Sequence, residues 1–308
     1  MIQRSVVRAA LAASAVIWGC ASQAQSLFHG MASAAHLDKG AVQVLMRDPI
    51  APPLRYRVIV IPGSGCTGMQ PVADRYFAGL LHAEVLILHK PGVDMHAGLN
   101  PKACLDGFIQ SDSLSSWLEN ARTALRFDAR RRATEPRIPQ LLVGISEGSE
   151  LLAMLAADVP NLAGLVLLSG SGLDPVEAGE MQARRLGMLT VWREVEEAQR
   201  TDRPDKAIVQ GRSLRYWRDL WTWRQSNSLI SSTWPILQMW GENDALVPKE
   251  AYEKFGTLSR PRSAPMCSRS IPDADHGLQS ATLDGVQILW AMLENWGRET
   301  TRTICDQP

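Results

Sequence analysis

One stretch near the middle of the chain joins an apolar strand signal to a helical signal through a short turn. Residues 140–143 form an apolar run that predicts a buried parallel strand, and residues 151–155 carry leucines at helical spacing. Between them lies the pattern G-I-S-E-G over residues 144–148, with Ser146 at its centre. A serine on so tight a strand-to-helix turn must direct its hydroxyl outward, and the flanking glycines leave room for the strained backbone. The pattern alone is common by chance, and its position between a strand and a helix makes it informative.

The composition is that of one large globular domain. The chain has 308 residues, of which 45% are hydrophobic, and this length suits a single α/β domain with an insertion. Its 32 basic and 32 acidic residues give a net charge of zero, and no block of like charge stands out. Nothing in this pattern indicates a nucleic-acid partner.

The first residues have the pattern of a targeting segment. Arg4 and Arg8 precede a short apolar run at residues 9–18, and the small residues that follow predict a signal peptide over residues 1–24. The run is too short for a permanent membrane span. We therefore expect a secreted or periplasmic protein whose domain covers residues 25–308. Lipid attachment at Cys20 is the alternative, although Trp18 fits a lipoprotein cleavage box poorly.

Strand and helix signals alternate along the rest of the chain. Strands are predicted near residues 41–46, 57–62, 85–88, 162–168, 235–240 and 266–271, and helices near residues 112–127 and 286–296. Such alternation predicts an α/β fold with a doubly wound, mostly parallel sheet, and a site at the carboxyl ends of its strands. The segment at about 173–233 differs in being helical, charged and rich in tryptophan, which predicts an inserted cap.

A glycine-rich loop follows the strand near residues 57–62. Gly63, Gly65 and Gly68 form G-x-G-x-x-G, so a dinucleotide site and a nucleotide-dependent oxidoreductase have to be considered. That motif needs an acidic residue at the end of the next strand. Here the next strand ends in His89 and Lys90, so we expect the loop N–H groups to face an oxyanion instead.

Three residues that could form a catalytic group each follow a predicted strand. They are Ser146, Asp244 and His276, in this order along the chain. A serine hydroxyl is a weak nucleophile at neutral pH and needs a base, which in turn needs a partner to set its tautomer. His276 would accept the Ser146 proton and later deliver it to the leaving group, while Asp244 would hold the other ring nitrogen.

With these motifs together, the chain resembles an α/β-hydrolase over residues 56–298. The matching features are G-I-S-E-G, the turn G-E-N-D-A-L-V-P and the turn D-H-G. The resemblance implies an α/β-hydrolase sheet with a helical cap, and hydrolysis of a carboxylic ester through an acyl-enzyme. It also implies a small-molecule acyl substrate, with neither a cofactor nor a metal. Peptidase and thioesterase activity remain alternatives, as does a binding protein on the same fold.

The resemblance further implies an oxyanion hole built from two backbone N–H groups. One belongs to Glu147, directly after the nucleophile, and the other comes from the loop after Pro62, at Ser64 or Gly65. The Glu147 side chain could repel acidic substrates or could point away from them.

Four cysteines remain once the leader is removed, an even number that suits an oxidising compartment. The implied fold brings together the segments joined by Cys66–Cys104 and by Cys267–Cys305, so we expect these two disulfides. Four buried free thiols are the alternative, and the absence of C-x-x-C spacing argues against a metal site.

Some residues compete for the assigned roles. Glu242 or Asn243 could stand in place of Asp244, and Cys66 could be proposed as a nucleophile, although no histidine is placed to activate it. Three other histidines recur every seven residues and invite a metal interpretation: His82, His89 and His96. They fall across a strand and its flanking loops, so this spacing does not place them on one face.

Overall fold

A computed structural model describes residues 26–37, 40–96, 104 and 106–306, so the predicted signal peptide and Cys20 lie outside the described residues. Its main sheet has eight strands. They are β1 (His29–Leu37), β2 (Gly40–Arg47), β3 (Tyr56–Ile61), β4 (Ala83–Leu88), β5 (Gln140–Ile145), β6 (Leu162–Leu168), β9 (Ile236–Gly241) and β10 (Met266–Ile271). Two short strands, β7 (Ile208–Val209) and β8 (Arg212–Ser213), form a separate hairpin.

The order across the sheet is β1-β2-β4-β3-β5-β6-β9-β10. Strand β2 runs antiparallel to both of its neighbours, β1 and β4. The strands from β4 to β10 pair in parallel. The chain therefore winds outward in both directions from the region of β3, and the carboxyl ends of the parallel strands share one edge of the sheet.

The helices lie on both faces of the sheet and above its carboxyl edge. They are α1 (Gln70–Tyr76), α2 (Asp106–Ser111), α3 (Leu114–Arg131), α4 (Leu152–Leu155), α5 (Pro175–Arg185), α6 (Leu189–Gln199), α7 (Leu214–Thr222), α8 (Ser226–Ser231), α9 (Lys249–Leu258) and α10 (Gly285–Trp296). Short 3₁₀ turns cover Ser146–Leu151, Ala156–Asp158 and Ile304–Asp306.

Two hydrophobic layers cover the sheet because its central strands are apolar on both sides. In β3, Val58 and Val60 join the layer that contains Trp290 of α10, whereas Ile59 joins the layer that contains Trp117 of α3. All six residues of β3 are buried. This double burial is typical of parallel strands and gives the chain a three-layer α/β architecture.

The predicted elements are present, with three differences. A further strand, β1, precedes the one predicted near residues 41–46 and pairs with it as a hairpin. The helix predicted from residue 112 begins instead at Leu114, because Ser113 caps it by accepting a hydrogen bond from the Ser116 N–H at 3.2 Å. The helix after Ser146 begins with a 3₁₀ turn and has only a short α-helical part.

Both expected disulfides are present. Cys66–Cys104 joins the loop after β3 to the residue just ahead of α2, with Cα atoms 5.7 Å apart. Cys267–Cys305 joins the edge strand β10 to the final 3₁₀ turn, with Cα atoms 5.5 Å apart. Among the described residues, no helix is both long and apolar enough to cross a membrane.

Candidate active site

Ser146 stands at the end of β5 in a backbone conformation that few residues other than glycine adopt, with φ of 52°. The two glycines around it have a different role from the one expected, because neither has a positive φ. A Cβ on Gly148 would lie 2.2 Å from the Ile61 carbonyl oxygen, and one on Gly144 would lie 2.4 Å from the Ser149 Cα. The serine itself takes the strain, and the glycines allow the turn to pack against β3.

The three side chains predicted to act together lie in hydrogen-bonding contact. Nε2 of His276 is 2.9 Å from Oγ of Ser146, and Nδ1 of His276 is 2.8 Å from Oδ2 of Asp244. The Asp244 side chain is 2% exposed and that of His276 is 20% exposed. Solvent and ligands can therefore reach the serine side of the ring, whereas the carboxylate side is sealed.

Asp244 is held by further donors at both of its oxygens. The N–H groups of Leu246 and Val247 donate to Oδ1 at 2.7 and 2.9 Å, and the Tyr252 hydroxyl donates to Oδ2 at 2.7 Å. Burial alone would raise the pKa of Asp244, but the hydrogen bonds from His276, Val247 and Tyr252 outweigh it and hold the pKa below its ordinary value. The carboxylate is thus ionised and fixed in orientation.

Two cavities meet at the serine. One of about 300 Å³ is lined by Tyr76, Leu278 and the loop after β3, and one of about 260 Å³ extends beneath the segment 173–233. Ser64 lines both cavities together with Ser146 and His276. Among the described residues, Gly65 is not part of either lining, so Ser64 is the better placed of the two predicted donors.

The three glycines of the loop after β3 differ in their surroundings. A Cβ on Gly63 would be in ordinary contact with the Ser146 Cβ at 3.5 Å, whereas one on Gly68 would lie 2.2 Å from the Met95 carbonyl oxygen. Gly65 has φ of +91° with open space around it. The loop therefore contacts the serine turn at Gly63, and close packing requires a glycine at Gly68.

The Glu147 side chain belongs to a charged cluster between the sheet and the segment 173–233. Lys90, after β4, contacts Glu147 and also Asp112 at 3.1 Å. Arg212 of β8 contacts Asp112 at 2.6 Å and Glu147 at 3.7 Å, and the Tyr216 hydroxyl donates to Glu147. Burial by itself would raise the pKa of Glu147, but Lys90, Arg212 and Tyr216 lower it below its ordinary value. Its charge is therefore neutralised and does not face a substrate as a free carboxylate.

The sequence matches no protein-family model, and a search of curated proteins finds no significant match. Solved structures are similar in fold. Est1E from Butyrivibrio proteoclasticus superposes with a TM-score of 0.60 at 17% identity, covering 87% of this chain and 98% of that one. An arylesterase gives a TM-score of 0.60 at 14% identity, covering 87% of this chain and 84% of that one. A lipase in an open form gives 0.56 at 16% identity, covering 88% and 99%. The protein has the α/β-hydrolase fold.

Within this α/β-hydrolase fold, the competing residues have other contacts. Glu242 accepts a hydrogen bond from the Ser270 hydroxyl at 2.8 Å, and Asp275 accepts one from the Gln279 N–H at 2.9 Å. Cys66 is in a disulfide. His82 contacts Glu294, while Nε2 of His89 accepts from the Met69 N–H. Over the described ranges, no group of three or more histidine, cysteine or acidic side chains could hold a metal ion.

The tryptophans of the segment 173–233 pack on one another. Trp192 stacks on Trp221 with ring centroids 5.0 Å apart, and Trp217 meets Trp192 edge-on at 6.3 Å. None of these three rings is among the residues that line the two cavities at Ser146. The side chains of the segment 173–233 that line the cavity of about 260 Å³ are Pro175, Ala178, Arg212, Tyr216 and Leu220.

Two residues that support the site carry no signal in the sequence. Tyr252 contacts Asp244 from α9, and Arg185 of α5 donates to the Asp244 carbonyl at 2.8 Å. Neither belongs to a short motif, and the second contact spans 59 positions along the chain. Only the spacing of Tyr252, eight residues after Asp244 at the start of a helix, offered a clue.

Proposed function

We propose that this protein is a serine hydrolase that cleaves carboxylic esters, with Ser146 as nucleophile, His276 as general base and acid, and Asp244 as its partner. The observation that carries the proposal is the continuous contact from Ser146 through His276 to Asp244, at 2.9 and 2.8 Å, beside an open cavity. The esterases and lipase with the same fold support the same class of chemistry.

The proposed reaction runs through an acyl-enzyme. Oγ of Ser146 attacks the ester carbonyl while its proton passes to Nε2 of His276, and the charge on the ring is stabilised by Asp244. His276 then gives the proton to the departing alcohol, and a water molecule activated by the same nitrogen releases the acid. The N–H groups of Glu147 and Ser64 would stabilise the oxyanion, each contributing about a hundred- to a thousandfold in rate.

The size of the site favours a small acyl substrate. The cavities on either side of Ser146 measure about 300 and 260 Å³, which is at the lower end for a small-molecule site. Est1E, similar in fold, has been solved with ferulic acid bound. The two cavities would fit a small ester whose acyl part lies on one side of Ser146 and whose alcohol part lies on the other.

The proposal is tested by labelling with a fluorophosphonate, which reacts with activated serines. We expect the wild type to be labelled at Ser146 and Ser146→Ala to remain unlabelled while folding normally. Ser171→Ala is the matched control, since Ser171 lines the same space without contacting the histidine, and it should be labelled like the wild type. A folded wild type that does not react, or a label on another residue, would contradict the assignment.

We further propose that the protein acts outside the cytoplasm after removal of residues 1–24. The two disulfides support this, because such bonds persist mainly in oxidising compartments. N-terminal sequencing of the exported protein should give a start at residue 25. A lipid-modified start at Cys20 would instead support the anchored alternative.

A further inference from the structure

The cavity beneath the cap ends at an acidic side chain that the proposed reaction does not use. This space of about 260 Å³ is lined by Ser146 and His276 at one end and by Glu150, four residues after the serine. Pro175, Ala178 and Leu220 of the cap supply apolar walls. A molecule acylating Ser146 could therefore occupy the same cavity as the Glu150 side chain.

The Glu150 carboxyl lacks partners that the rest of the chain could have supplied. Its Oε2 is buried and has no hydrogen-bond partner among the described residues, and the same part of the chain provides no ion pair to it. Its backbone carbonyl, in contrast, accepts a hydrogen bond from Trp223 Nε1 at 2.9 Å. Buried polar groups are normally paired in folded proteins, so a buried, unpaired carboxyl oxygen in a cavity indicates a position where a ligand can supply the partner.

The charges that surround Glu150 are negative. Burial raises the pKa of Glu150 well above its ordinary value, and the carboxylates of Glu147 and Asp174 raise it further. Each of these two neighbours already has its own donors. Glu147 has Lys90, Arg212 and Tyr216, and Asp174 accepts from the N–H groups of Gln225 and Ser226 at 2.8 and 2.9 Å.

Arg212 is a cation that lines this cavity, and its guanidinium already has acidic partners. It lines the cavity, but its guanidinium contacts Asp112 and Glu147 and lies over the Tyr216 ring at 4.1 Å. A neutral hydroxyl could satisfy the unpaired oxygen of Glu150 but would leave the carboxylate without a counterion. A cation satisfies that oxygen and also pairs with the carboxylate.

We propose that Glu150 is a specificity residue that binds a protonated primary amine of the substrate. The substrate class is then a small ester whose acyl part carries an ammonium group a few bonds from the reacting carbonyl. This assignment rests on the proposed function for the ester bond, whereas the amine site itself does not. Because the pKa of Glu150 is raised by burial and by acidic neighbours, pairing with the ammonium lowers that pKa, and protons released from the carboxyl pass to solvent.

Calorimetric binding of n-butylammonium and n-butanol tests the amine site without requiring turnover. The two probes are nearly isosteric and differ in charge, and an alkylammonium remains protonated at pH 7. We expect the wild type to bind butylammonium at least tenfold more tightly than butanol. Titrations in two buffers of different ionisation enthalpy should show that protons are released as the amine binds.

Glu150→Gln keeps the shape of the side chain and removes its acidity, so it should lose both the preference and the proton release. Glu180→Gln, on the exposed side of α5, is the control and should retain both. Equal binding of the two probes by the wild type, or no proton release, would overturn the proposal even if Glu150→Gln did not fold. A preference that persists in folded Glu150→Gln would overturn it as well.

Hydrolysis of two matched esters distinguishes the proposed amine site from the proposed hydrolase activity. Methyl 3-aminopropanoate and methyl butanoate differ by the replacement of a terminal ammonium group with a methyl group, and we expect the first to have the higher kcat/KM in the wild type by about tenfold or more. If neither ester is cleaved and no fluorophosphonate reacts, the hydrolase assignment fails while the calorimetric result still decides the amine site.

Discussion

Asp244 is contacted by His276, by the N–H groups of Leu246 and Val247 and by the Tyr252 hydroxyl, and the last of these can be removed without changing the backbone or His276. Its hydroxyl donates to the same oxygen that faces His276, at 2.7 Å. The ring is fully buried and stacks on Trp240, with ring centroids 4.8 Å apart and planes 8° apart. Tyr252 is therefore a positioning residue, because it acts on the proposed reaction through Asp244.

Tyr252→Phe should lower kcat/KM about fivefold, if roughly 1 kcal/mol of a charge-assisted hydrogen bond is expressed in the transition state. The Tyr252 hydroxyl helps to hold the pKa of Asp244 down, so its removal raises that pKa. The loss of activity on the acid side should then begin at a higher pH than in the wild type. A pH–rate profile of ester hydrolysis measures both effects.

Tyr56→Phe is the matched control for this prediction. The Tyr56 hydroxyl donates to a buried carboxylate at a similar distance, Oε1 of Glu294 at 2.8 Å, but it lies at the start of β3 and away from Ser146. It should lower stability while leaving the pH–rate profile in place. If both variants gave the wild-type profile, Tyr252 would have only a structural role.

At the scale of single residues, the sequence indicates which side chains come together where each follows a strand within a short motif. Ser146, Asp244 and His276 each lie at a strand end inside a short motif, so their convergence followed from the parallel sheet. Glu150 and Arg212 were missed because their significance depends on partners or on missing partners elsewhere. The contact of Arg212 with Asp112 spans 100 positions, which no local pattern reveals.

At the scale of the element, the turn from β5 into the 3₁₀ helix is tightly constrained by its packing against β3. Gly148 lies against the carbonyl oxygens of Ile61 and Pro62, where a Cβ would approach to 2.2 and 2.3 Å. These oxygens belong to β3 and to the start of the loop that carries Ser64. The turn and that loop are thus fitted to each other through a residue with no side chain.

Gly148→Ala should lower the free energy of unfolding by about 1–3 kcal/mol, because backbone atoms rather than a flexible side chain must move. It should also slow fluorophosphonate labelling, since Ser64 and Ser146 are displaced together. Urea unfolding and the labelling rate are the two measurements. Gly256→Ala is the control: nothing lies within 4 Å of its Cβ position, and in α9 the change should stabilise by about 1 kcal/mol at most. Equal stability of the two variants would refute the packing argument.

Elements were predicted from the sequence where apolar residues are dense. The strand predicted at residues 162–168 matches β6 at both ends, because β6 is buried and bounded by turns. β1 was missed because His29–Leu37 consists largely of small residues with no β-branched side chain and exists as a strand through its pairing with β2. The 3₁₀ turn that begins at Ser146 could not be predicted from the sequence either, because it depends on the close packing of Gly144 and Gly148.

For the molecule as a whole, the two disulfides stabilise different regions. Each closes 38 residues, so the entropic part of their stabilisation is the same. Cys66–Cys104 joins the loop that contains Ser64 to the approach to α2. Cys267–Cys305 fastens the final 3₁₀ turn to the edge strand of the sheet, remote from the serine in the strand order.

Replacing Cys267 and Cys305 together by serine should lower the free energy of unfolding by about 2–4 kcal/mol and leave kcat near the wild-type value. The same change at Cys66 and Cys104 should cost a similar amount of stability and also reduce the labelling rate of Ser146. Urea unfolding and fluorophosphonate kinetics on the two double variants provide the comparison. Identical labelling rates would show that the first disulfide does not support the oxyanion loop.

The charged cluster around Glu147 divides unevenly between the two parts of the chain. Lys90, Asp112 and Glu147 lie outside the segment 173–233 and together carry one excess negative charge, and that segment contributes Arg212 and the Tyr216 hydroxyl. Without Arg212 and Tyr216, two buried carboxylates would share one lysine beside Ser146. The five positions are therefore coupled, because a change of charge at any of them has to be balanced by the others.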